Sequence, residues 1–290
     1  MIEQTLFGQQ QKLKFYQQAP LPFQGQKRNF LYYFIDALKE FNDKDIFVDL
    51  FGGSGFLSHT IKYCMPDKKV IFNDFDNYTQ RLKQIDTTNE IIAKIRNIIP
   101  YTIRKKGTSR DHKTSKETKQ KIIDVIYEYE QKGFVDYKTL SSNLLFSGEN
   151  ESDFKSFISK QFYERIKKGN YNADGYLQDV EVTHSDYKEL FKQYENTPNV
   201  CFIVDPPYFN TDTKSYLNYW QIQEYFDVFK VLKNSSYFYF TSDKSQILQL
   251  FEALEQNFDF KSPFQNTQKC FVKVAVNKFN YYNDIMIYKH

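Results

Sequence analysis

Residues 46–76 constrain the fold more than any other stretch. Ile46-Phe47-Val48-Asp49-Leu50-Phe51 is an apolar run of strand length. Gly52-Gly53-Ser54-Gly55 follows at once, and residues 56–63 have the apolar spacing of a helix. Val70-Ile71-Phe72-Asn73-Asp74-Phe75-Asp76 is a second strand with an acid at its end. Strand, glycine turn, helix, strand is a unit of open α/β sheets. It brings backbone N–H groups and a helix N-terminus to a bound ligand, where side chains on the glycines would stand in the way. Asp74 lies 19 positions after Gly55, close to the roughly 20-residue spacing of an acid that grips ribose hydroxyls. The unit implies an adenosine-containing ligand and leaves NAD and S-adenosylmethionine both open. Ser58 stands where a dinucleotide fingerprint carries its third Gly or Ala, which tells against NAD.

A second signal is Val200-Cys201-Phe202-Ile203-Val204-Asp205-Pro206-Pro207-Tyr208. The apolar run reads as a buried strand, and the prolines stop it because neither can donate to a sheet ladder. A carboxylate and a ring are thus expected at the C-terminal edge of a strand, where open α/β sheets bind ligands. Asp205 accepts only, and Pro206 and Pro207 offer carbonyls without N–H groups. Acceptors under an aromatic plate suit a flat group bearing an NH2, such as the amino edge of a nucleobase. Stacking on Tyr208 is worth roughly 1–3 kcal/mol by analogy with base–aromatic stacking. A bland strand-ending turn with a solvated Asp is the competing explanation of this tetrapeptide.

Between these signals the composition shifts. From 101 to 121 there are eight Lys/Arg (Arg104, Lys105, Lys106, Arg110, Lys113, Lys116, Lys119, Lys121) against Asp111 and Glu117. This reads as a basic loop suited to phosphate contacts, although such runs are often merely solvated. Residues 85–170 are expected to form an inserted, mainly helical module between 1–84 and 171–290. Helices are expected over 29–41, 78–99, 122–129, 157–168, 221–232 and 245–254. Ser141-Ser142-Asn143 and Thr241-Ser242-Asp243 are expected as helix caps. Strands are expected at 180–187 and 237–240, with a closing hairpin of 270–276 and 285–288. Ser185-Asp186-Tyr187 repeats the pairing of an acid with a ring, and Pro22-Phe23-Gln24-Gly25-Gln26-Lys27 is a bent loop whose Phe and Lys could meet a ligand.

Composition narrows the class further. Hydrophobic residues make up 41% of the 290, enough for a core, and the net charge of +3 does not by itself demand nucleic acid. Cys64, Cys201 and Cys270 are isolated, and the four histidines show no ligand spacing, so neither a disulfide framework nor a zinc site is expected. No apolar run approaches a membrane span and no leader is visible, so the expected setting is cytoplasmic.

The order Pro-Phe-Gln-Gly-Gln-Lys, Asp-Leu-Phe-Gly-Gly-Ser-Gly, Asn-Asp-Phe-Asp, Ser-Asp-Tyr and Asp-Pro-Pro-Tyr resembles the Dam-type, alpha-group DNA adenine-N6 methyltransferases. The resemblance implies a Rossmann-like methyltransferase fold, α/β with a seven-stranded mixed sheet, S-adenosylmethionine as methyl donor, and an inserted target-recognition domain. It implies that Phe23, Gly25 and Lys27 line the cofactor pocket, with Lys27 near the cofactor carboxylate. Asp49, Gly53, Ser54 and Gly55 would hold the methionine part, Asp74 the ribose, and Asp186 with Tyr187 the adenine. Asp205, Pro206 and Tyr208 would hold a flipped target adenine in double-stranded DNA. Arg104, Lys105, Lys106, Arg110 and Lys113 would contact DNA. It further implies a monomer, with or without a cognate restriction endonuclease. The first loop departs from the family, with Phe23 and Gln24 in place of Trp and Ala and Gln26 in place of Gly. The alternatives are a non-catalytic DNA-binding relative, a methyltransferase of RNA or of protein glutamine, and an NAD-dependent oxidoreductase.

Overall fold

A computed structural model of the chain describes residues 13–99, 112–146, 148–207, 222–275 and 280–290. Seven strands form one sheet: β1 (Ile46–Asp49), β2 (Lys69–Asn73), β3 (Glu181–Thr183), β4 (Val200–Val204), β5 (Ser236–Ser242), β6 (Gln268–Ala275) and β7 (Tyr281–Lys289). Their order is β3-β2-β1-β4-β5-β7-β6. Neighbours among the first five run parallel, while β7 is antiparallel to both β5 and β6. The order reverses between β1 and β4, which makes their carboxyl ends the topological switch point.

All five residues of β4 are buried, as a strand covered on both faces requires. Cys201 and Ile203 face a layer that holds Phe34, Phe41 and Ile61. Val200, Phe202 and Val204 face the opposite layer, with Leu190, Val228 and Phe251. The first layer comes from α1 (Leu31–Leu38) and α2 (Phe56–Cys64). The second comes from α8 (Tyr187–Tyr194), α9 (Ile222–Lys233) and α10 (Ile247–Asn257).

The segment between β2 and β3 supplies α3 (Tyr78–Lys83), α4 (Ile85–Ile98), α5 (Lys116–Glu130), α6 (Tyr137–Leu144) and α7 (Phe154–Ser159). These helices pack on Phe72, Phe56, Tyr78 and Leu21 in one continuous core. The insertion is therefore helical as expected, but it shares its core with one side of the sheet.

Several local expectations change. The helix expected over 78–99 breaks at Gln84, which caps α3 and opens α4. Lys116, Lys119 and Lys121 belong to α5 and not to a loop, because Ser115 accepts the Thr118 N–H and starts the helix early. Ser141 to Asn143 lie inside α6, whose cap is Asp136, bonded to the Thr139 N–H. The helix expected over 157–168 is only α7, with irregular chain after Ser159. Asp243 does not cap α10; it accepts the Asn283 N–H across to β7.

Candidate active site

The carboxyl ends of β1, β2 and β3 are knitted together by one side chain. Asn73 Nδ2 donates to the Leu50 and Ser185 carbonyls, and its Oδ1 accepts the Ser185 N–H, all at 2.9 Å. His184 adds a bond from Nδ1 to the Asp74 carbonyl at 2.8 Å, so its role is structural. This edge carries the glycine turn, the first loop and the Asp-Pro-Pro segment.

Asp49 lies beneath the glycine turn and is 2% exposed. Its Oδ1 accepts the Gly52 N–H at 2.9 Å and its Oδ2 the Ser58 hydroxyl at 2.7 Å. Ser58 at the third fingerprint position thus braces Asp49. Burial, with a further push from the charge of Asp205, lifts the Asp49 carboxyl to about 6 against those hydrogen bonds. Gly52 has φ +37°, and a Cβ there would meet the Asn73 carbonyl at 2.2 Å; one on Gly55, at φ +70°, would meet Leu177 at 2.8 Å. These two glycines are required by the protein's own packing. At Gly53 a Cβ would press on the Phe23 ring at 3.1 Å, so the first loop lies over the turn. The Ser54 carbonyl accepts the Tyr176 hydroxyl at 3.0 Å.

Helix α3 positions the first loop. The Tyr78 hydroxyl bonds the N–H and the carbonyl of Leu21 at 3.0 and 3.1 Å. Arg81 Nη2 donates to the Pro22 carbonyl at 2.8 Å. The same guanidinium pairs with Asp136 of the insertion through Nε at 2.9 Å, with both side chains buried. Lys27, at the end of the loop, is buried and donates to the Gly25 carbonyl at 2.8 Å. Its Nζ is also 2.5 Å from Asp205 Oδ2. This ion pair joins the two chain segments expected to serve cofactor and target.

Asp205 sits just past β4 with its side chain 26% exposed. Burial pushes its pKa up, and Lys27 pulls it back. The Pro207 carbonyl is taken by the Tyr225 hydroxyl at 2.6 Å. Tyr208 lies outside the described residues, as do Arg104, Lys105, Lys106 and Arg110. Lys113 is exposed and its backbone forms a bridge to Tyr163.

Asp74 departs from the expected ribose role. It is 0% exposed; Oδ1 accepts the Tyr78 N–H, and Oδ2 accepts the N–H and hydroxyl of Thr79. Both oxygens are engaged in starting α3. Asp76 is exposed, yet desolvation raises its pKa, with Lys138 of the insertion opposing. Asp186 caps α8 through Oδ1 to the Lys188 N–H and is otherwise exposed. Tyr187 packs on Phe51, with ring centroids 5.0 Å apart. Phe51 and Asp76 were both within motifs read from the sequence. Neither was singled out, because their orientation depends on β3 and α3.

A five-strand parallel core with an antiparallel strand inserted at one end, and a glycine turn at the switch point, defines the Rossmann-like methyltransferase class. The D12 class N6 adenine-specific DNA methyltransferase family matches residues 23–246. A Haemophilus influenzae protein named "Putative methyltransferase" is 36% identical over 287 residues, covering 95% of this chain and 93% of that relative. The chain belongs to the D12 class N6 adenine-specific DNA methyltransferase family. That membership sets the nicotinamide reading aside. Among the described residues no cluster of metal ligands occurs, and no helix is long and apolar enough to cross a membrane.

Proposed function

We propose that this chain transfers a methyl group from S-adenosylmethionine to the N6 amino group of an adenine turned out of double-stranded DNA. The observation that carries the reading is the placement of Asp49 and Asp205 at neighbouring strand ends, both with raised pKa, the charge of Asp205 adding to the rise at Asp49. Two desolvated carboxylates with one lysine between the loops favour a cationic ligand and a reaction that develops positive charge. S-adenosylmethionine is such a cation, and when bound it supplies an electrophilic methyl group.

In this reading Phe23, Gly25 and the turn of Gly53, Ser54 and Gly55 cradle the methionine part above Asp49. The open carboxylate of Asp76 takes the ribose hydroxyls in place of the engaged Asp74. Asp186 accepts from the adenine amino group, and the Phe51–Tyr187 pair forms an apolar wall beside it. The Asp205 carboxylate and the Pro206 carbonyl accept both hydrogens of the target amino group. That localises the nitrogen lone pair and holds it in line for displacement. Lys27 opposes the upward shift of Asp205 and so favours its ionised, acceptor-only form. Tyr208 stacks on the extruded base, offsetting an unstacking cost of a few kcal/mol. Residues 85–170 serve as the target-recognition module and 1–84 with 171–290 as the catalytic part. Lys113 and its basic neighbours contact phosphates.

Labelled methyl transfer to plasmid DNA tests this directly. Asp205→Ala is expected to abolish adenine methylation while leaving DNA affinity within a few-fold. Persisting N6-methyladenine in DNA treated with that variant would remove Asp205 from the reaction. A wild-type chain that binds DNA without turnover would favour the non-catalytic relative instead.

A further inference from the structure

The β6–β7 hairpin does not stop where the sheet stops. β5 ends at Ser242, paired with Asp284, but β7 continues back to Tyr281 paired only with β6. Asn283, Tyr282 and Tyr281 lie opposite Lys273, Val274 and Ala275. Three residue pairs at about 3.4 Å each carry the hairpin about 10 Å past the end of β5. Because β4 and β5 are parallel, this overhang stands on the same edge as Asp205.

The overhang is locked in place. The Asp243 N–H donates to the Asn283 carbonyl at 3.0 Å, and Asp243 Oδ2 accepts both N–H groups of Asn283 at 2.9 Å. Asp243 is thereby drawn into the brace; Asp284 is the other acid beside Tyr282. Two lysines stand over its rings. Lys244 Nζ is 3.8 Å from the Tyr282 centroid, and Lys273 Nζ is 4.2 Å from that of Tyr281. Lys188 and Lys230, by contrast, close on Asp227, while Lys167 stands over Tyr171 much as these two lysines stand over their rings. Neither Lys244 nor Lys273 forms an ion pair among the described residues. A ring fixes an ammonium without neutralising it. Phe271, 58% exposed, continues the same face of β6 as Lys273.

We propose that this overhang is a second DNA-backbone contact, with Lys244 and Lys273 taking phosphates on the flank away from the inserted module. The inference rests on the DNA methyltransferase reading and adds a surface to it. Sheet order carries it: the insertion packs beside β2, β4 lies between, and the hairpin is two strands beyond β4. At about 4.8 Å per strand, β7 is about 10 Å from β4. A duplex delivering a base to Asp205 presents a charge every 1.7 Å or so of its axis, so phosphates reach that distance on both flanks. The contact is independent of sequence.

The test is fluorescence anisotropy of wild type and of Lys244→Gln/Lys273→Gln across a salt series. Three duplexes are used, one with the target central and two lacking the flank on one side or the other. The double variant is expected to keep its cofactor affinity and thermal midpoint. Its salt slope should fall by about 1.8, so that it loses about tenfold less affinity than wild type between 50 and 200 mM salt. Removing one flank should cost wild type affinity and leave the double variant indifferent. An unchanged slope, in a wild type that does bind DNA, overturns the hairpin contact alone. A wild type with no salt-dependent DNA binding overturns the methyltransferase reading and this contact with it.

Discussion

Asp49 is a buried carboxylate whose desolvation ties the proposed site to the stability of the fold. Its folded-state value of about 6 lies above the value of an unfolded aspartate. A raised acid stabilises the fold fully below about pH 4, where both states are protonated, and loses that contribution as pH rises through about 6. The unfolded chain ionises first in that window, which weakens the fold by roughly 3 kcal/mol. Urea unfolding of wild type, referenced to Asp49→Asn, should show this decline between pH 4 and 7 and then level. A flat difference would mean that Asp49 is ionised at ordinary cost. Asp49 was legible in the sequence from its place before the glycines. Its bond to Ser58 was not, because that contact needs the pitch of α2. The bonds of Asp74 were hidden for a related reason. Spacing identifies an acid at the end of β2, but only the turn into α3 decides that its oxygens bond Tyr78 and Thr79.

Among the elements, α3 has an influence beyond its six residues. Tyr78 and Arg81 fix the backbone of the first loop, and Arg81 ties that loop to Asp136 and Thr139 of the insertion. Removing one partner of a buried pair leaves the other charge uncompensated, which costs about 3–5 kcal/mol. Arg81→Ala is therefore expected to lower unfolding stability by that amount in urea titrations. Arg81→Lys should recover only part of it, since an ammonium cannot reproduce the guanidinium's planar set of bonds. Equal stability of Arg81→Ala and wild type would show that the loop and insertion are not coupled there. The strands were readable because β1, β2 and β4 are short apolar runs ended by acids or prolines. The α3–α4 break was not, since apolar spacing continues across Gln84. The early start of α5 was hidden by six residues rich in lysine that a cap at Ser115 makes helical.

On the scale of the whole molecule, the insertion is an interruption of the sequence more than of the core. Ile91, Ile126, Leu140 and Phe157 pack in one cluster with Phe56 and Phe72 beside the sheet. Such continuity predicts one cooperative transition: far-UV circular dichroism and hydrogen exchange should report the same urea midpoint for residues on both sides of position 85. Separate midpoints would show that the insertion folds by itself. The seven-stranded sheet was legible from the order of its motifs. The shared core was not, because no local pattern says which apolar face of α4 or α6 meets Phe72.

The return limb of the insertion brings a consequence for protein engineering. Tyr176 steadies the Ser54 carbonyl, and Leu177 leans on Gly55 while its N–H meets His59 Nδ1 at 3.2 Å. Exchanging recognition modules between relatives therefore has an asymmetric tolerance. A splice placed upstream of Tyr176 carries over the native buttress of the glycine turn, whereas one placed a few residues later imports a foreign hand to shape it.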